Sequence, residues 1–277
     1  MPPSAAELAE RIRREAFLYR KSFRHLVTPK PPAAQTVFVG GVQRSGTNML
    51  MQILDASLET DVFHENDERA FDNYMMRERP IIHSLIVGSR ASVVVVKALT
   101  EAHNFKALLD EFAPAKGLWM IRRFEDAVNS TLKRWPGIRN MLDELVFDRD
   151  AAGWRGRGMT DETHRAVRAL YRFKMNDASA NALFWYYRNQ LFFDQELDRD
   201  ARVLAVEYER LVQAPRAEVN RIAAFTGIRS TTRMRDVPHT ESVGRDAPPT
   251  IEAEVRALCE AMQERLASAA AKLAVRV

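Results

Sequence analysis

The stretch FVGGVQRSGTNML, residues 38–50, constrains this chain more than any other, because it reads as a strand running into a glycine turn and then a helix. Backbone N–H groups turned inward by Gly41 and Gly46, together with the positive end of a helix opening near Thr47, make a cradle for a phosphate group. The spacing of Gly41 and Gly46 matches the nucleotide-triphosphate loop G-x-x-x-x-G-K-[ST]. Thr47 and Asn48 stand where that loop carries lysine and a hydroxyl residue. Without the lysine that reaches the β- and γ-phosphates and the hydroxyl that holds Mg²⁺, a metal-bound triphosphate is disfavoured. Arg44 supplies a cation inside the loop instead.

The rest of the chain repeats this strand–helix alternation. Apolar runs at TVFVG, DVFH, SVVVVKAL, GLWMI and RVLAV are separated by helices from Thr47, near Glu68, near Glu101, from Phe124 and after Pro215. Alternation of this kind requires crossover connections and predicts an α/β fold of three layers, a central parallel sheet flanked by helices, of the P-loop-like kind. Ser92 to Val96 is apolar on both faces, as expected of a central strand covered on each side. Residues 1–35 are expected to form a basic helix followed by the proline-rich connector PKPPAAQ, and residues 36–277 a single domain. That helix could lie on a membrane surface, but Glu7, Glu10 and Glu15 favour an ordinary packed or solvated face. The aromatics of FWYYRNQLFF fit core packing in a long helix better than a stacking platform.

Composition excludes several classes. The net charge is only +4, and arginines lie beside acidic residues along helices, as in RIRRE and EYERL, so no nucleic-acid partner is expected. The single cysteine, Cys259, cannot pair within the chain, and no secretory h-region opens the sequence, so a cytoplasmic protein is expected. No apolar run approaches the ~20 residues that cross a bilayer, so no integral membrane segment is expected. His83, His103 and His164 lack metal-ligand spacing, and no metal site is expected.

A second basic element lies at GLWMIRRFEDAVNS, where a strand ends at Arg122 and a helix carries Asp126 and Ser130 on one face. An arginine at the C-terminal end of a parallel strand, with a hydroxyl eight residues on, can close around a second anion in the same crevice. Two separated anion sites suggest a nucleotide phosphorylated at both ends.

On these residues the chain resembles the sulfotransferases that use 3′-phosphoadenosine 5′-phosphosulfate (PAPS). Their loop pattern K/R-S-G-T-T is matched by Arg44, Ser45, Gly46, Thr47 and Asn48. Their second pattern, an arginine, an aspartate four later and a serine four beyond, is matched by Arg122, Asp126 and Ser130. A third element, VLAVEYERLVQAPRAEVNRIAAFTGI, resembles the family's V-x-Y-E-x-L, x-x-P and F-x-G sequence, and the likeness spans about Val37 to Ile228. The resemblance implies PAPS as sulfuryl donor and its desulfated form (PAP) as product, with no metal. It implies that Arg122 and Ser130 clasp the 3′-phosphate and that Arg44 neutralises charge on the leaving phosphate. Gly244 and Arg245 resemble a late glycine-and-basic element that covers the nucleotide.

The acceptor, a hydroxyl or amine on a carbohydrate or small metabolite, must lose a proton. Part of the family uses a histidine two residues after a lysine, but Lys97-Ala98-Leu99 has leucine there. Other branches use a glutamate just beyond the second strand, and HENDER offers Glu65 first and Glu68 second, with Asp67 and His64 behind them. These acids could instead start a helix and complement its dipole. Lys97, at the end of a buried strand, faces either the reacting group or a structural ion-pair partner. Trp154, Arg155 and Arg157 fit either contact with a sugar or anionic acceptor or a solvated loop. Two other readings stay open: a small-molecule kinase with a degenerate loop, and a non-catalytic nucleotide-binding relative.

Overall fold

The structure, a computed structural model, describes residues 5–135, 139–238, 244 and 246–275. Among the described residues seven strands run in chain order as β1 (Gln35–Gly41), β2 (Thr60–Phe63), β3 (Phe71–Asp72), β4 (Met75–Met76), β5 (Val93–Lys97), β6 (Ala115–Ile121) and β7 (Val203–Glu207). The first helices are α1 (Ala5–Val27), α2 (Thr47–Asp55), α3 (Arg79–Gly88), α4 (Phe105–Glu111), α5 (Phe124–Arg134) and α6 (Arg139–Phe147). They are followed by α7 (Asp161–Leu170), α8 (Asp177–Asp194), α9 (Tyr208–Gln213), α10 (Pro215–Thr226), α11 (Thr232–Arg235) and α12 (Ala253–Ala274).

Five strands form one parallel sheet in the order β2-β5-β1-β6-β7. Val93 to Val96 are buried on both faces, and two apolar clusters cover the sheet. One holds Phe38, Phe105, Trp119 and the aromatics of α8; the other holds Val37, Leu50, Leu118 and the inner face of α10. These are the three layers expected from the alternation, with the core divided by the sheet.

Strand order reverses at β1. Chain leaving β1 reaches β2 and β5 on one side, then crosses to β6 and β7 on the other. In open parallel sheets a ligand crevice lies outside the carboxyl ends of the strands at such a switch point. The loop 42–46, Glu65, Lys97, Arg122 and Tyr208 all follow or end these strands on that side.

The segment near Glu68 departs from the helix expected there. It is a small antiparallel hairpin, β3 with β4, turning through Asn73 and Tyr74 at φ 45° and 66°, and the helix begins only at Arg79 with Pro80 in its first turn. Helix α1 is tied to the sheet layers by Lys21, whose ammonium donates to the Asp55 carbonyl at 2.8 Å and its carboxylate at 2.6 Å.

Candidate active site

The glycines set the loop. Gly46 sits at φ 97°, and a Cβ there would lie 2.3 Å from Cδ2 of Tyr208, so both the backbone angle and the ring demand glycine. Gly41, at φ 133°, has the Met120 carbonyl oxygen where a Cβ would be, at 2.6 Å. Arg44 also takes the left-handed region, φ 64°, which costs a non-glycine residue about 1–2 kcal/mol and marks a held conformation. Ser45 and Thr47 are buried, and the Ser45 hydroxyl has no hydrogen-bond partner among the described residues.

The second basic element folds onto the first. Ser130 Oγ accepts from Arg44 Nε at 3.0 Å, and Arg122 Nη1 donates to the Arg44 carbonyl at 3.0 Å. The Arg122 guanidinium lies 4.3 Å from the centre of the Tyr208 ring, the same ring that closes on Gly46. Burial first, then the like charges of Arg122 and Arg134, lower the pKa of Arg44. The neighbouring charges thus disfavour its guanidinium form, and an anion would reverse that balance. Asp126 serves another purpose: its carboxylate accepts from the Gly244 N–H at 3.3 Å. Arg245 falls outside the described residues.

The cation missing from the loop arrives from the neighbouring strand. Lys97, at the end of β5, is 2% exposed, and its Nζ lies 2.6 Å from Asn48 Oδ1 and 2.6 Å from Glu65 Oε2. Its pKa is lowered by burial, with the charge and hydrogen bond of Glu65 opposing that shift. Glu68 is exposed and stands apart from this contact. His64 is held toward its neutral form by burial, and Asp67 is engaged by Arg69 at 2.6 Å.

Beside the loop lies a cavity of about 260 Å³, walled by Val42 and Gln43, by Trp135, Met141, Trp154 and Arg155, and by Phe184 and Trp185 of α8. Arg44 lies 5.8 Å from the ring centre of Trp135, one of the lining residues. Trp154 is therefore turned into the body of the protein. Nothing in the sequence singled out Gln43, and Tyr208 stood in the V-x-Y-E-x-L element without a role; the aromatic run in α8 was the available signal for the cavity wall, and it reads equally as core.

A parallel sheet thus carries a glycine-rich loop at its switch point, with arginine and serine from the next strand and helix folded onto it. The family comparison is specific: the sulfotransferase domain profile matches residues 34–243, and the chain belongs to that family. Curated proteins give no sequence match. Among solved structures, the sulfotransferase of Alicyclobacillus acidocaldarius aligns over 88% of this chain and 97% of its own, at 16% identity and TM-score 0.51. Sulfotransferase STF9 of Mycobacterium avium aligns over 91% and 80%, at 13% identity and TM-score 0.48. The sulfotransferase domain of the Synechococcus PCC 7002 olefin synthase aligns over 84% and 97%, at 14% identity and TM-score 0.46. Likeness at the identity of the first shows the fold alone.

Proposed function

We propose that the protein is a sulfotransferase that takes PAPS as donor and passes its sulfuryl group to a hydroxyl or amine on a carbohydrate or small-molecule acceptor. The observation that carries this is the cluster at the loop: Arg44, Arg122 and Ser130 joined around one backbone turn, with the Ser45 hydroxyl buried and unpartnered beside them. A bound oxyanion would satisfy that hydroxyl and offset the like-charge crowding of Arg44. The donor fits these residues, and it supplies an activated sulfuryl group on a phosphate leaving group.

In this reading Ser45, Gly46, Thr47 and Asn48 hold the 5′ end through the loop backbone and the start of α2. Arg122 and Ser130 hold the 3′-phosphate, and Arg245 contributes to nucleotide binding. Arg44 neutralises charge as it develops, acting through charge and hydrogen bonding because a guanidinium does not give up its proton. Glu65 takes the acceptor proton and Lys97 orients it; their 2.6 Å contact beside Asn48 supports this pairing over Glu68. Among the described residues no helix is long and apolar enough to cross a membrane, and the proposal places the reaction in the cytoplasm.

Calorimetric titration of PAP against ATP with Mg²⁺ tests the assignment. PAP should bind more tightly, and without added metal. A preference for ATP with Mg²⁺ would instead make the chain a small-molecule kinase, and tight PAP binding with no turnover on any acceptor would make it a non-catalytic relative.

A further inference from the structure

Helix α8 is apolar nearly all round, yet it carries one cation in its middle. Arg188 is 0% exposed. Its Nη2 donates to the Leu99 carbonyl at 3.1 Å, which sets the guanidinium just past the end of β5, two residues beyond Lys97. Nε and Nη1 are buried without a hydrogen-bond acceptor in bonding geometry, and no carboxylate among the described residues forms an ion pair with the group. Burial lowers its pKa, a side-chain interaction with the Tyr187 hydroxyl opposes that, and the like charge of Arg155 adds to it; neither neighbour is a carboxylate. A buried cation with no counter-charge is among the most costly groups a fold can hold.

The helix that carries it also walls the cavity beside the loop. Asn181, Phe184, Trp185 and Arg188 are spaced three, four and seven apart from the first, so they form one stripe of α8. The first three line the cavity, and Arg188 continues the stripe behind Trp154, whose ring centre is 5.3 Å from its guanidinium carbon. Arg155, also on the cavity wall, lies 5.0 Å from the same ring. Trp154 thus lies within cation–π range of two guanidinium groups, one of them on the cavity wall. The Gln43 amide nitrogen and oxygen and the Trp185 indole N–H, on the same walls, are buried and unpartnered as well. Unpartnered polar groups are rare in folded proteins, and a cluster of them around one cavity marks a place where water or a ligand must supply the partners. A cavity of about 150 Å³ takes a benzene ring, so this one has room for a ring with a short substituent.

We propose that the acceptor is an aromatic or otherwise apolar molecule bearing an oxyanion, a carboxylate or a phosphate, which Arg188 and Arg155 bind with Trp154 displaced from between them. The inference rests on the sulfotransferase reading for the word acceptor, but the binding chemistry stands on α8 and its cavity. Arg188 is then a specificity-determining residue. The body of the acceptor lies along Phe184 and Trp185, and its reacting hydroxyl or amine points back toward Arg44 and Lys97.

The test is a binding titration of the full chain, followed by tryptophan fluorescence, with phenylacetate, phenyl phosphate and the neutral phenylacetamide at matched ionic strength. At least one anion should bind the wild type about tenfold or more tightly than the amide, a difference expected of one charge-assisted contact in a buried site. Whichever anion wins names the source of the oxyanion. Arg188→Met should abolish the preference and leave the ligand-free protein as heat-stable as wild type or more so, since it removes a buried uncompensated charge. Equal binding of anions and amide, binding of none of the three, or a preference that survives in Arg188→Met overturns the proposal. The wild-type comparison decides even if the variant fails to fold. PAP titrated in parallel keeps the two readings apart: failure of PAP to bind removes the sulfotransferase assignment, whereas normal PAP binding with no anion preference removes only this one.

Discussion

Replacing Glu65 by glutamine keeps the shape of the side chain and removes its charge, which makes it the sharpest single perturbation of the site. Lys97 and Glu65 side chains are 2% and 22% exposed, with 2.6 Å between Nζ and Oε2. At an effective dielectric of about 20, two unit charges so placed attract by roughly 6 kcal/mol. Water at Glu65 and the neutral hydrogen bond that glutamine retains reduce the expected loss to about 2–3 kcal/mol, just below the range for stripping a fully buried pair of one partner. The pH dependence follows from Lys97, whose folded pKa lies below its unfolded value because burial lowers it while Glu65 pushes it up. Between those two values the unfolded chain binds more protons, so stability rises with pH. Glu65→Gln removes the upward push, so the variant's folded pKa falls further and its window opens at lower pH. The deficit should be largest near neutrality and shrink as pH climbs into the alkaline range. Urea unfolding at about pH 7 and about pH 10 measures both quantities. A loss below about 0.5 kcal/mol, or one that is flat with pH, would refute the buried charge pair. If Glu65 is also the base, PAPS turnover falls by roughly 10²- to 10⁴-fold while PAP binding survives, and Glu68→Gln stays near wild type.

Arg122→Ala should weaken PAP by about 2 kcal/mol or more, and adenosine 5′-phosphosulfate, which lacks the 3′-phosphate, far less; equal losses by calorimetry would mean that the arginine only braces the Arg44 carbonyl. Arg44→Ala should lower turnover more than it weakens PAP, with partial recovery in Arg44→Lys, as steady-state kinetics beside a binding titration would reveal. Gly46→Ala meets both a left-handed φ and the Tyr208 ring at 2.3 Å, so it should cost about 2 kcal/mol or more in urea unfolding and abolish PAP binding. A Gly46→Ala protein that binds PAP normally would show that the loop can open away from Tyr208.

Much of the scaffold is legible because its signals are local. A valine run apolar on both faces can only be a covered strand, and the glycines before Thr47 fix a turn that no other residue enters cheaply. The hairpin at Phe71–Met76 was not legible: its strands are two residues long, too short to show a period of two, and its turn uses Tyr74 at positive φ where glycine is the usual sign. At the site, residues were nominated one by one, but their partners were not. That Lys97 meets Glu65 depends on the parallel register of β2 with β5, which pairs Phe63 with Val96 and so sets the residues just beyond them side by side. Register of that kind is decided by packing of whole faces and leaves no mark in either short run. Arg188 was hidden for a related reason, since a single charge inside an aromatic run reads as helix surface until the fold shows all sides of that helix covered.

The switch at β1 also divides the candidate site residues into two groups. On its β6 side, Arg122 and Ser130 converge on the loop from a strand end and the helix that follows it. On its β5 side, Lys97 and Glu65 come from two adjacent strand ends and meet at Asn48, on the first turn of α2. Arg44 lies between the two groups, bonded to one side and close enough to the other that its charge acts on Lys97. In-line transfer of a sulfuryl group asks for this separation, because the leaving phosphate and the incoming nucleophile must lie on opposite sides of the moving group. In the proposed reading, the absence of a lysine at Thr47 and the burial of Lys97 go together: the ammonium at the reacting centre comes from β5 and is paired with a base that follows the adjacent strand β2.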